Sequence, residues 1–136
     1  MADIVLALRP KWLELILDGK KTAEFRRVMP RDLFPGDKVH LYCGRSLHGV
    51  ATVKGVHYGA SGPLATEFAG RGCIDRNEAQ AYLFGGKCPG VIELGKVEKY
   101  SIPYAWCDAV VQNFVYYARQ DNGTEVPCSE DGREEK

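Results

Sequence analysis

Between Pro10 and Asp18 the apolar residues Trp12, Leu13, Ile16 and Leu17 fall on one face of a 3.6-residue repeat, and Lys11, Glu14 and Asp18 fall on the other. The pattern predicts a short helix over residues 10–18 with one buried face. Pro10 suits its first position, where a backbone N–H would be unpaired anyway, and Gly19 suits the left-handed residue just past its end. From residue 21 the period drops to two. Ala23 and Phe25 alternate with Thr22, Glu24 and Arg26, so a strand over residues 21–27 turns Ala23 and Phe25 toward a core and Glu24 and Arg26 together to the opposite face. On that reading Arg26 is an exposed group whose loss should change stability little.

The remaining pattern is richer in strand than in helix. Residues 4–8, 39–43, 50–58, 91–100 and 114–118 read as strands, with Gly55 placed where a small barrel bends or bulges. Residues 30–37 hold two prolines, a glycine and three charged residues, which is loop composition. Helical segments are expected over 61–70 and 75–84, the second opened by Asp75 as N-cap with Glu78 three residues on and stopped by Gly85-Gly86. A connection containing Trp106 joins the last two strands. The class is therefore α+β, and several short strands closing on themselves would remove their unpaired edges.

The segment Gly19, Lys21, Glu24, Arg26, followed by Arg27, resembles the Gly-x-Lys-x-x-Glu-x-Arg signature of the ASCH domain, a branch of the PUA-like superfamily. Further matches follow in order: Pro35-Gly36-Asp37, Ala-Tyr-Leu-Phe-Gly at 81–85, a strand around Val91 to Val97, and Gln112 to Phe114 entering a last strand. The similarity covers residues 3 to about 118. It implies a small PUA-like β-barrel of about five or six strands with two or three short helices, and a cleft at the helix-to-strand junction that such families use for nucleic acid or modified bases. One ASCH branch hydrolyses 4-acetylcytidine with a lysine, a threonine three residues later and a glutamate from the following helical region. Lys21 matches that lysine, but Glu24 stands at the threonine position, and Thr22 lies on the wrong side of Lys21 to replace it. For the helical glutamate, Glu67 and Glu78 are the two candidates.

At 136 residues, 45% hydrophobic and 26% charged, the chain is expected to form one domain over residues 1–120 with a real core. No apolar run approaches the roughly 18 residues of a membrane span, and residues 1–9 lack a secretory pattern. The five cysteines, Cys43, Cys73, Cys88, Cys107 and Cys128, form no Cys-x-x-Cys pair, and reduced thiols in a cytoplasmic protein are the expectation. Zero net charge conceals an asymmetry. Residues 121–136 carry six acids against two bases, and residues 9–45 carry nine bases against five acids, so the segments are −4 and +4. The acidic segment has no apolar periodicity and is expected to be a disordered tail. The basic one suits a phosphate-bearing partner, with a solvated mixed-sign surface as the alternative.

These residues point to binding more than to catalysis. Lys20, Lys21, Glu24, Arg26, Arg27, Arg45 and Tyr82 are the candidate nucleic-acid-binding set; if the protein is an enzyme, Lys21 and Glu24 are the candidate catalytic pair. A carboxylate among cations suits the reading of a base amino group while a neighbouring cation holds the backbone. Tyr82 and Phe84 would stack a base, unless they belong to the core. The partner is expected to be RNA or a modified nucleoside, with DNA also compatible and no membrane role. Two other classes stay open: a hydrolase acting on a modified nucleoside or on RNA, and a protein-interaction module. His40 and Cys43 stand three apart, which a strand turns to opposite faces, so no metal site is expected. His48 and His57 have no spaced partner. No phosphate-binding loop or dinucleotide fingerprint is present, and no cofactor is expected.

Overall fold

The computed structural model describes residues 3–106, 111, 113–119 and 125–127. Its elements in chain order are β1 (Asp3–Ala7), α1 (Pro10–Leu17), β2 (Ala23–Arg26), β3 (Lys38–Cys43), β4 (Ser46–Tyr58), α2 (Ser61–Phe68), α3 (Arg76–Leu83), β5 (Gly90–Ala105), β6 (Phe114–Arg119) and β7 (Glu125–Pro127). The strands form one sheet in the order β2-β5-β4-β3-β1-β6-β7. Among the described strands β1 and β3 pair in parallel and the other pairs are antiparallel, with one isolated parallel bridge between Val28 and Cys88. Six strands make the curled body of a PUA-like half-barrel, and β7 adds three residues to the edge of β6. Gln112, Cys107, Cys128 and all of the acidic tail except the residues of β7 lie outside the described residues.

Alternation sorts the buried side chains onto two faces. Ile4 and Leu6 of β1 join Val39, Leu41, Ala51, Val53, Ile92 and Leu94 in a core covered by Leu13 and Ile16 of α1. Val5, between them, turns outward into a smaller cluster with Tyr42, Leu47, Trp106 and Val115. A third cluster seats α2 and α3 on the sheet through Leu64, Ala65, Phe68, Ala79 and Leu83, packed on Ala23, Phe25 and Val91. Ala23 and Phe25 therefore face a core, as their alternation requires. The bend expected at Gly55 is present as a register shift between β4 and β5 at Val53/Gly55.

The local stops also follow from the sequence. Gly19 has φ +79°, outside the comfortable range of residues with a Cβ, and Lys20 N–H donates to Leu15 O at 2.9 Å, which ends α1 and turns the chain into β2. Asp75 caps α3 by accepting from the N–H groups of Asn77 and Glu78 at 3.0 and 3.2 Å. In the Pro35-Gly36-Asp37 turn, fully buried Asp37 accepts from Phe34 N–H at 2.9 Å.

Arg26 departs from expectation. All four residues of β2 are buried, Arg26 included at 8% exposure. Its guanidinium donates to Asn113 Oδ1 at 2.8 Å and to the Ala7 carbonyl. Asn113 in turn donates to Val28 O at 3.3 Å. β2 and β1 stand at opposite ends of the run β2-β5-β4-β3-β1, so these bonds tie the curled sheet across its seam. Alternation put Arg26 on the face opposite Phe25, which is correct, but that face looks into the curl of the barrel and not into water.

Candidate nucleic-acid interface

The stop at Gly19 delivers Lys21 into the curl, where its side chain is 3% exposed. Lys21 Nζ donates to Gly72 O at 2.8 Å, lies 3.4 Å from Glu24 Oε1, and sits 4.6 Å from the centroid of the Trp12 ring. The loop carrying Gly72 is held by backbone bonds from Thr22 and Ala23 N–H to Arg71 O, at 2.8 and 3.2 Å. On the other side of the carboxylate, Arg26 approaches Glu24 Oε2 at 3.1 Å. Glu24 is thus clamped between two cations, one on each oxygen. Burial holds the Lys21 ammonium below its ordinary pKa, and the charge and hydrogen bond of Glu24 oppose that shift.

This triad forms the floor of a cleft of about 540 Å³ between the start of α1, strand β2 and helix α3. Arg9 and Trp12 line it from the α1 side, Glu78 and Tyr82 from α3, and Arg27 from the residue after β2. Arg9, Glu78 and Tyr82 are exposed, so the cleft is open to solvent above its buried floor. Each carboxylate oxygen of Glu24 has two lone pairs, and one cation per oxygen leaves a second acceptor position on each. The arrangement therefore offers hydrogen-bond acceptors at the base of a cleft with aromatic and cationic walls.

Five of the seven sequence-derived binding residues converge here: Lys21, Glu24, Arg26, Arg27 and Tyr82. Lys20 is exposed next to the cleft without lining it, and Arg45 is in the tight β3–β4 turn with φ +66°, also outside it. Of the two candidate glutamates, Glu78 lines the cleft and Glu67 sits exposed on α2 outside it. Phe84 and Tyr82 are both exposed, at 76% and 42%, and neither belongs to the core. The Arg26 guanidinium lines the cleft and is engaged with Ala7, Asn113 and Glu24.

Trp12 was legible only as part of the apolar stripe of α1, yet it is half-buried and faces the cleft. A signal was available: Trp12 stands at the edge of the stripe, next to Leu13 and one turn before Ile16, the two buried residues of the helix. His57 also has an unforeseen partner, Glu93 Oε1 at 3.0 Å, which sequence separation concealed. Among the described residues no group of three or more His, Cys, Asp or Glu is placed to hold a metal ion, and no helix is long and apolar enough to cross a membrane.

The curled sheet with three helices and a cleft at the first helix-to-strand junction defines a PUA-like domain. The family model of the ASCH domain matches residues 6–115, and the chain belongs to that family, one associated with RNA binding. Among solved structures, the ASCH protein of Zymomonas mobilis superposes with a TM-score of 0.68 at 21% identity, covering 76% of this chain and 73% of that one. A hypothetical protein superposes with a TM-score of 0.52 at 22% identity, over 71% of this chain and 97% of its own. No curated protein matches the sequence.

Proposed function

We propose that the protein binds RNA and takes one base, standard or modified, into the cleft between α1, β2 and α3. The observation that carries this reading is Glu24, a buried carboxylate with acceptor positions left over at the floor of an open cleft. A phosphate site would have no use for that negative charge, whereas a base amino or imino N–H has. Trp12 and Tyr82 supply aromatic walls at opposite sides, and Arg9 and Arg27 supply charge for the backbone in place of the occupied Arg26. The test is binding of labelled single-stranded RNA at low salt by the natural protein, Tyr82→Ala and Arg9→Ala. Both substitutions are expected to weaken binding without changing stability, and DNA of the same sequence measures the preference for RNA. Binding that neither substitution alters would place the RNA elsewhere.

A second reading is hydrolysis of a modified nucleoside. It is favoured by Glu78 in the same cleft as Lys21, whose ammonium burial holds below its ordinary pKa. Against it, no hydroxyl stands three residues after Lys21, and Thr22 does not line the cleft. Release of acetate from 4-acetylcytidine by the natural protein, abolished in Lys21→Ala, would put this reading first.

A further inference from the structure

Phe84, at the C-cap of α3, is 76% exposed, but its backbone is not loose. Phe84 N–H donates to Gln80 O at 2.9 Å, Gly86 N–H to Leu83 O at 3.0 Å, and Cys88 N–H to Arg27 O at 3.0 Å. A Cβ on Gly86 would lie 2.7 Å from the Arg27 carbonyl oxygen, so glycine is what allows this turn to lie directly on Arg27. The Arg27 guanidinium then runs between two places: it lines the cleft, and its terminal nitrogen is 3.6 Å from the position a Cβ would take on Gly85, the residue after Phe84. Exposed Lys87 adds a second cation on the same turn. A large apolar ring held in water on a tethered backbone adds nothing to folding, and here it stands beside a cation that reaches into the cleft.

We propose that this turn is a second nucleotide subsite: the base next to the one in the cleft stacks on Phe84, and the phosphate joining them meets Arg27. The inference rests on the cleft reading above and narrows it, because the ligand becomes a single strand of two or more nucleotides and not a free nucleoside. Positive charge near the ring, from Arg27 beside Gly85 and from exposed Lys87, favours nucleic acid over an apolar protein partner.

The full-length protein would be titrated with a fluorescein-labelled, mixed-sequence single-stranded RNA of eight nucleotides, and separately with an equal mixture of the four nucleoside 5′-monophosphates. Phe84→Ala is expected to weaken octamer binding about tenfold, the scale of one lost base–aromatic stack, to leave mononucleotide binding unchanged, and to be rescued by Phe84→Tyr. Equal loss for both ligands, or no loss for the octamer, overturns the subsite. If Phe84→Ala instead changes the sedimentation of the protein alone and not RNA binding, the ring is a contact between copies and the proposal is wrong. Should the octamer respond to Phe84→Ala and not to Tyr82→Ala, Phe84 is an RNA contact by itself, and the cleft reading fails together with the two-base arrangement built on it. If the natural protein binds neither ligand, both fail together.

Discussion

Two carboxylates in this molecule are each held between two nitrogen bases, and they do different work. Glu24 lies between Lys21 and Arg26 with side chains 7%, 3% and 10% exposed. Glu93 lies between His57 at 3.0 Å and Arg71 at 2.8 Å, with the outer partners 36% and 44% exposed. Coulomb attraction in the second cluster is screened by water, and such pairs contribute little. In the first, desolvation costs about as much as attraction returns, so a buried cluster is a poor way to stabilise a fold. What burial does provide is a set of charges fixed in place at the floor of a cleft, with the Lys21 ammonium held below its ordinary pKa, and a perturbed group in a cleft marks a candidate functional site. The Arg71–Glu93 pair instead braces the loop whose Gly72 carbonyl receives Lys21.

Removing Glu24 should separate the clusters most sharply. Glu24→Ala leaves Lys21 and Arg26 buried without their carboxylate and is expected to lose about 3–5 kcal/mol in urea denaturation. A loss under 1 kcal/mol would mean that water reaches the triad freely. Arg26→Ala should follow with about 3 kcal/mol, since it strands Glu24 beside one cation and opens the seam to Ala7 and Asn113. If Arg26→Ala proves as mild as a surface change, the seam is held by packing alone. Arg71→Ala in the exposed cluster should cost less than about 1 kcal/mol, and a larger value would break the comparison.

The smallest effect is on pH dependence. Chiefly through the hydrogen bond from His57, the Glu93 carboxyl is held below its ordinary value of 4.5. The unfolded chain then binds the extra proton first, so this contribution is complete above that value and is lost as pH falls through the lowered native one. Lys21 has the same sign in a different window. Its native pKa lies below the ordinary 10.5, so its protonated form burdens the fold, and stability from this group rises with pH between the native value and 10.5. Acid and alkaline denaturation of Glu93→Gln and Lys21→Met would show each term disappear in its own window.

Local rules carried the reading a long way. The 3.6 period and the Pro10 and Gly19 boundaries located α1, Asp75 located the start of α3, and the alternation of Ala23 and Phe25 placed them correctly on the core side. Lys21, Glu24, Arg26 and Arg27 were legible as one group because they lie within a single short stretch of sequence. The exposure of Arg26 was not, because an opposite face of a strand is wet in an open sheet and enclosed in a curled one, and only contacts 87 residues apart with Asn113 reveal which. Glu93 and His57 were hidden for the same reason, being 36 residues apart. Arg45 entered the set by charge counting and lies in the β3–β4 turn, outside the cleft.

The most direct test of the central claim, that the buried cluster and not the exposed one serves a ligand, is an NMR titration of the isotope-labelled protein with the eight-nucleotide single-stranded RNA. The account predicts the largest shifts at the Trp12 indole N–H and at the amides of Lys21, Arg27 and Tyr82, with the amides of His57, Arg71 and Glu93 and of the β3–β4 turn at Arg45 unmoved. Shifts concentrated at Arg45 or at the Arg71–Glu93 cluster, with the Trp12 indole silent, would contradict it.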